Sequence, residues 1–340
     1  MSFSEKSILL TGASGFAGVH MLKQLLENTE SFIYCPFTFR HGGRKERIDS
    51  IIGQSYSDRV RFFECDLSSQ KLEDFNFLSN ISVIINFASE SHVDRSIINP
   101  QKFILNNINL MVNLLEFTRI RNLDLEFIHI STDEVFGPLD KSIDNFEWKL
   151  PHLPSNPYSA SKSAQESLLI SYHKTYSLKS TIVNVTNMIG EAQNQEKFIP
   201  MVIRRILENE IINIDTNLEG EIGSRKYIYV GDVARIILSI LNSANQDKKN
   251  SSLPRKFHIA GSLSISNLEI VKSISKILKK DFKYTISPSP RCGYDLNYQL
   301  SSNQIGGINR NEKQTLIDKL THIVEWTIKN PEWLKIDHVS

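Results

Sequence analysis

The stretch Ser7-Ile8-Leu9-Leu10-Thr11-Gly12-Ala13-Ser14-Gly15-Phe16-Ala17-Gly18 sets a short apolar run directly before spaced glycines, and Val19 to Leu26 follows with Leu22, Leu25 and Leu26 at helical spacing. A strand that enters a helix through glycines can bring its backbone close to a pyrophosphate, whose charge then meets the free N–H groups of the helix N-terminus. Glycines alone would make a flexible turn. Between a strand and a helix they point to a bound dinucleotide, with Gly12, Gly15, Phe16 and Gly18 against it.

Further apolar runs at Ser31 to Tyr34, Arg61 to Phe63, Ser82 to Phe87, Phe127 to Ile130 and Thr181 to Val185 alternate with longer helical patterns. Such alternation predicts an α/β chain, a doubly wound parallel Rossmann sheet, with a smaller C-terminal substrate-binding lobe. Order weakens beyond about Met188, where a polar stretch at Glu191 to Lys197, a Lys/Asn/Ser-rich loop at Asn245 to Ser252 and a Pro/Ser segment at Ser287 to Pro290 read as connections. Within that region Tyr227 to Asn242 has the pattern of a strand then an amphipathic helix, and Lys256 to Ala260 that of another strand. The chain is therefore expected to return to its first domain, with residues 1–187 and about 225–262 binding the dinucleotide and about 188–224 and 263–340 forming the smaller lobe.

A length of 340 residues can bury the core this needs. Cys35, Cys65 and Cys292 stand far apart, with no CxxC pair and no histidine at zinc-ligand spacing, so neither disulfides nor a metal is expected. Lys+Arg 39 against Asp+Glu 38 leaves a formal charge of +1 and no broad basic field for a nucleic-acid backbone. The start, MSFSEKSILLTG, offers only Ile8 to Leu10 as an apolar run, too short for a signal-peptide core or a membrane span, and a cytoplasmic chain is expected.

The second strand should end in the group that reads the adenosine ribose. Tyr34-Cys35-Pro36 carries no acid there, and Arg40, Arg44 and Lys45 follow. A guanidinium such as Arg40 can accept a 2′-phosphate, which makes NADP plausible beside NAD, although a solvated basic loop is an equal interpretation. After the third strand, Asp66 and Leu67 could meet the adenine, or Asp66 could cap the chain from Ser69 onward.

The strand Phe127 to Ile130 runs into Ser131-Thr132-Asp133-Glu134-Val135-Phe136-Gly137. Chemistry in open α/β sheets sits at the carboxyl ends of strands, and two carboxyls in different surroundings commonly divide into an acid and a base. Downstream, Pro157-Tyr158-Ser159-Ala160-Ser161-Lys162 begins a helix on which Tyr158 and Lys162 share a face. An ammonium beside a phenol is expected to lower the phenol's pKa and so supply a base near a nicotinamide.

These motifs resemble those of the extended short-chain dehydrogenases/reductases, and within them the dTDP-glucose and UDP-glucose 4,6-dehydratases. The likeness covers roughly residues 7 to 300: TGASGFAG, FASESHVDRSI from Phe87, STDEVFG from Ser131, YSASK from Tyr158, NMIGEAQNQEKFIP from Asn187, SRKYIYVGDVAR from Ser224 and RCGYD from Arg291. It implies that Tyr158 takes the sugar O4 proton with Thr132 hydrogen-bonded to that oxygen, that Glu134 removes the C5 proton, and that Asp133 protonates the departing C6 hydroxyl. Lys162 would tune Tyr158 and hold the nicotinamide ribose, and Phe87, Ala88 and Ser89 would pass along a tightly bound NAD or NADP that each turnover regenerates. Asn187, Lys197, Arg225 and Arg291 match positions that hold a nucleotide diphosphate, which paired guanidiniums suit, and Tyr294 would stand with them on the substrate side. Ser91, His92 and Arg95 follow the cofactor strand, where they could face the sugar or equally cap the start of a helix. The resemblance also implies a homodimer joined through the helix after FASESHVDRSI and the helix bearing YSASK, with Phe103, Leu110, Leu114 and Leu115 supplying an apolar second face. The chain departs from the family pattern at Cys35, where an acid is frequent, at Phe136 and Tyr294, where tyrosine and histidine are frequent, and at Ile189 and Glu191 of the NxYGP pattern. Alternatives are a nucleotide-sugar 4-epimerase or decarboxylase of the same fold and, more remotely, a dinucleotide-binding regulator without turnover.

Overall fold

The structure, a computed structural model, describes residues 6–39, 42–53, 58–121, 125–138, 150–243, 252–291, 294–298, 300–302 and 312–335. Arg40, Cys292 and nearly all of the loop at Asn245 to Ser252 lie outside the described residues.

Strands β1 (Ser7–Thr11), β2 (Phe32–Phe37), β3 (Val60–Glu64), β4 (Val83–Asn86), β5 (Glu126–Thr132), β6 (Ser180–Val185) and β10 (Arg255–Ile259) form one seven-stranded sheet in the order β10-β6-β5-β4-β1-β2-β3. Every pairing in it is parallel. The order reverses beside β1, so β1 and β4 splay their following loops apart and leave a crevice at their carboxyl ends. Near-continuous apolar runs such as Ile8-Leu9-Leu10 and Val83-Ile84-Ile85 are required because both faces of such a sheet are covered. Helices α1 (Phe16–Asn28) and α7 (Val230–Ser243) cover one face, burying Met21, Leu22, Leu25, Ile237 and Ile240. Helices α4 (Pro100–Arg121) and α5 (Pro157–Tyr176) cover the other with Leu110, Met111, Leu114, Leu115 and Leu169. Each fully buried aliphatic side chain contributes roughly 1.5–3 kcal/mol.

A second core gathers α6 (Phe198–Leu207), α8 (Asn267–Leu278), α9 (Glu312–Lys329) and the short strands β7 (Asn187–Ile189), β8 (Ile211–Thr216), β9 (Ser224–Tyr229) and β11 (Ser264–Ser266) around Ile199, Ile203, Ile212, Ile214, Ile270, Ile274 and Val324. β9 pairs with β7 and β11, and α7 then leads the chain to β10, which joins the large sheet beside β6. The Pro/Ser segment is a partial correction. Ser287 and Pro288 end a strand, β12 (Lys283–Pro288), paired in parallel with β8. Its residues are exposed, which removes the alternation that marks a half-buried strand, and Pro288 is tolerated at its last position.

Candidate active site

The parallel sheet brings the carboxyl ends of β1, β4 and β5 to one edge, and a cavity of about 310 Å³ runs along it. Gly12, Gly15, Phe16 and Gly18 line one stretch, Asp66 and Leu67 another, and Phe87, Ala88, Ser89, Tyr158 and Lys162 a third. Ser91 and Lys197 border the far end. Gly12 adopts φ +71, and a Cβ there would lie 2.8 Å from the Ala88 nitrogen, so a side chain is excluded by both conformation and space. Gly15 begins α1 with no side-chain cap, leaving the helix N–H groups open to the cavity. A pyrophosphate fits this cradle. Asp66 builds its own turn, accepting from the Ser68 N–H at 2.9 Å and the Ser68 hydroxyl at 2.7 Å, while it still borders the cavity.

At the end of β5 the chain tightens into a 3₁₀ turn, Asp133–Phe136, capped by the Thr132 hydroxyl, which accepts from the Glu134 N–H at 3.3 Å. The turn buries Asp133 and leaves Glu134 partly accessible. Burial pushes the Asp133 carboxyl up to about 7, and the Glu134 charge adds to the shift, against a hydrogen bond from Thr132 and the Arg225 charge. Burial also raises Glu134, opposed by Arg225, by Lys197 and by a hydrogen bond from Asn156. One carboxyl is thus poised to carry a proton near neutrality, while its neighbour has two cations favouring the charged form.

Asn156 caps α5 in a capping box with Ser159, and Pro157 starts the helix. This fixes Tyr158 half-buried above the turn, its ring edge-on to Phe103 at 6.3 Å. The expected lowering of the phenol by Lys162 is corrected here. Burial and the neighbouring Glu134 push Tyr158 up, with a Thr132 hydrogen bond opposing them, because the Lys162 ammonium is engaged elsewhere. Its Nζ donates to the Ile130 carbonyl at 2.7 Å and lies 3.5 Å from His129 Nε2, and burial lowers it to about 7.

Several groups behind this set escaped sequence reasoning. A buried polar line runs from Thr11 Oγ1 to Asn86 Oδ1 (2.6 Å), from Asn86 Nδ2 to His129 Nδ1 (3.1 Å) and on to Lys162. Glu166, one turn beyond Lys162, accepts from Ser131 (2.5 Å) and Asn184 (2.7 Å) and pairs with Lys256 (2.9 Å). Burial raises Glu166, but His152, Lys256 and Ser131 outweigh it and hold the carboxyl well below the usual range. Asn184 also donates to the Thr132 carbonyl at 3.0 Å, so these groups fix the end of β5.

Of the cations expected to hold a diphosphate, Lys197 lines the cavity, whereas Arg225 and Arg291 lie outside its lining. Arg225 donates to the carbonyls of Asp295 (2.9 Å) and Leu296 (3.0 Å) and lies 5.0 Å from the Tyr298 ring centre. Arg291 is paired with Asp94 at 2.7 Å, and Lys197 donates to the Ser91 carbonyl at 3.3 Å. Asn187 has a buried Oδ1 without a hydrogen-bond partner among the described residues, while the Tyr294 hydroxyl donates to the Asp215 carbonyl at 3.2 Å. His92 caps the short helix α3 (Val93–Ile98), accepting from the Arg95 N–H at 3.3 Å. Among the described residues no cluster of three His, Cys, Asp or Glu could hold a metal, and no helix is long and apolar enough to cross a membrane.

A Rossmann sheet in the 3-2-1-4-5-6 order, a glycine loop after β1 and a Tyr-x-x-x-Lys helix beside β5 define an extended short-chain dehydrogenase/reductase. The chain belongs to the NAD dependent epimerase/dehydratase family, whose model matches residues 8–260. It is 29% identical to the dTDP-glucose 4,6-dehydratase of Escherichia coli over 358 residues, covering 96% of this chain and 94% of that one. It is also 28% identical to the low-salt glycan biosynthesis protein Agl12 of Haloferax volcanii, over 96% of this chain and 99% of that one. Among solved structures, dTDP-glucose 4,6-dehydratase from Streptomyces venezuelae with NAD and TYD bound superposes with a TM-score of 0.82 at 26% identity, covering 97% of this chain and 99% of that one. UDP-glucose 4-epimerase from Thermotoga maritima shares the fold, with a TM-score of 0.78 at 22% identity over 96% and 99% of the two chains.

Proposed function

We propose that the chain is a nucleotide-sugar 4,6-dehydratase acting on dTDP-glucose or UDP-glucose, a hydro-lyase that makes the 4-keto-6-deoxy sugar. The observation that carries this is the buried Asp133 beside Glu134 on the turn that follows β5, next to Tyr158 and Thr132. A 4-epimerase or decarboxylase expels no C6 hydroxyl and has no task for that acidic pair. Residues 1–187 with about 225–262 would hold the dinucleotide, and 188–224 with 263–340 the sugar nucleotide.

Bound in the cradle of Gly12, Gly15 and Gly18, a nicotinamide dinucleotide supplies a hydride acceptor and, later in the same turnover, a hydride donor. Tyr158 takes the O4 proton while Thr132 hydrogen-bonds that oxygen. The resulting 4-keto group acidifies C5, Glu134 removes the C5 proton, and Asp133 gives its proton to the C6 oxygen, which leaves as water. Lys162, held by its hydrogen bond to the Ile130 carbonyl, would orient the nicotinamide ribose. Lys197, Arg225 and Arg291 would meet the charge of the diphosphate, and Asn187 would complete that set by donating from its amide N–H groups. Incubation with dTDP-glucose and with UDP-glucose should give, by mass spectrometry, a product lighter by one water; an isomer of unchanged mass would favour the epimerase.

A pH dependence follows from Asp133. Its folded pKa of about 7 lies above the ordinary 3.8, so the proton needed for elimination is present below about 7 and lost above it. The elimination rate should fall by roughly tenfold per pH unit on that alkaline limb, and Asp133→Asn should abolish the limb. Stability has the matching sign: between 3.8 and about 7 the folded chain holds a proton the unfolded chain does not, so stability falls as pH rises through that window. Urea titrations from pH 5 to 8 on the parent and Asp133→Asn would show it.

The cofactor is proposed to be NAD or NADP, and to remain bound between turnovers. No acid stands at Cys35, and Cys35 is buried, so the adenosine ribose would lie against Pro36, Phe37 and Thr38, which line the cavity. The apolar face proposed for a homodimer is corrected. Phe103, Leu110, Leu114 and Leu115 are all buried within their own chain, the leucines in the core beneath the sheet and Phe103 against Tyr158 of α5. The exposed apolar groups on α3 and α4 include Ile98, Leu105 and Ile120. A dimer is still proposed, through α4 and α5. Light scattering at micromolar concentration should give twice the chain mass, and a monomer throughout would remove that proposal.

A further inference from the structure

Arg47, on α2 (Lys45–Ile52), heads the largest fully buried side chains of the described residues, at 0% exposure. A guanidinium enters an interior only when its donors are met. Its Nε donates to the Ala192 carbonyl at 2.9 Å, and its Nη1 to the carbonyls of Ser14 at 2.9 Å and Gly42 at 2.5 Å. Its Nη2 donates to Asn194 Oδ1 at 2.5 Å, and the ring of Trp333 lies 5.1 Å away. These partners come from separate parts of the chain: the glycine loop, the strip after β2, the turn after β7 and the C-terminal 3₁₀ turn Pro331–Leu334. Ser14, Gly42 and Asn194 also line the cavity beside the glycine loop. Ala192 sits at φ +55, a conformation that costs a residue with a Cβ and needs support, which the Arg47 Nε bond supplies.

We propose that Arg47 is a positioning residue that latches the 42–43 and 192–194 strips onto the glycine loop and so retains the dinucleotide between turnovers. The inference rests on the dinucleotide reading above and deepens it. A reaction that takes a hydride and returns it within one turnover has no need to exchange its cofactor, and Arg47 closes the two strips that an escaping dinucleotide would have to part. The latch belongs to this chain's own residues and touches neither substrate nor the reacting atoms.

Parent, Arg47→Met and Asn194→Ala proteins, loaded with whichever of NAD and NADP the parent takes up and passed through a desalting column, would be assayed for dinucleotide per chain and for its rate of release on dilution. The parent should keep its dinucleotide. Both variants should release it roughly 10- to 100-fold faster, the loss expected when hydrogen bonds from a charged donor are removed, and saturating dinucleotide should restore reduced-nicotinamide formation in a single turnover. Parent rates of release in the two variants would overturn the latch. If Arg47→Met fails to fold by circular dichroism, Asn194→Ala decides alone, since it alters one partly exposed partner. A parent protein that takes up neither NAD nor NADP at any concentration overturns the cofactor reading and the latch together, whereas a parent that retains its dinucleotide yet yields no dehydrated sugar leaves the latch standing and removes only the dehydratase.

Discussion

Asp133→Asn and Glu134→Gln should each slow formation of the 4-keto-6-deoxy product by roughly 10² to 10⁴-fold while leaving oxidation at C4 in place. Both substitutions keep the shape of the turn and remove only a proton. An asparagine in place of Asp133 could still accept from Thr132, whose hydroxyl lies 3.2 Å from Asp133 Oδ1, so the cap on the turn survives. The order of steps then separates the roles. In a single turnover followed by absorbance, reduced nicotinamide should build up in both variants, because elimination stalls after the first hydride has left the sugar. Tyr158→Phe should instead suppress the reduced nicotinamide itself, since the O4 proton has no acceptor. If the acidic variants make product at the parent rate, the elimination roles are wrong.

Gly18→Ala should weaken dinucleotide binding by roughly 10- to 100-fold, in line with about 1–3 kcal/mol for forcing extra volume into a packed site. A methyl at Gly18 would stand 2.0 Å from the Gly12 carbonyl oxygen, and that atom is backbone, so the loop itself has to move. Gly15 is a useful contrast. Its Cβ would meet the same oxygen at 3.1 Å with an ordinary φ of −81, a contact that a few tenths of an ångström relieves. Gly15→Ala should therefore lose far less. Titration of dinucleotide-stripped protein with NAD, read by fluorescence, distinguishes the two, and equal affinities would show that the cradle does not hold the pyrophosphate.

The parallel sheet and its carboxyl edge were legible because β1 and β4 carry continuous apolar runs, Ile8 to Leu10 and Val83 to Ile85, that end in the polar Thr11 and Asn86, and that pattern arises from burial on both faces. Glycines and the Tyr-Lys spacing were legible because backbone approach and helical geometry impose them locally. What escaped depends on partners far away in sequence. Arg47 reads as one more cation in a basic stretch, since its acceptors at Ser14, Ala192 and Asn194 are brought to it only by the fold. Glu166 looks like a solvated helix residue until Lys256 and Asn184 arrive from two other strands. Phe103 and Leu114 carried an apolar pattern that one sequence cannot assign to its own core or to a partner. The pairing of Tyr158 with Lys162 was visible, yet the direction of the phenol's shift was not, because it is set by burial and by Glu134 rather than by helical spacing.

The central claim is that a hydride leaves C4 and returns to C6 of the same sugar while water is lost between. Substrate carrying deuterium at C4, as dTDP-glucose and as UDP-glucose, tests this in one measurement when the product is examined by NMR. The dehydratase assignment predicts a 4-keto product with the deuterium in its C6 methyl group and a solvent-derived hydrogen at C5. Deuterium still at C4 of a product that has kept its C6 hydroxyl would contradict it.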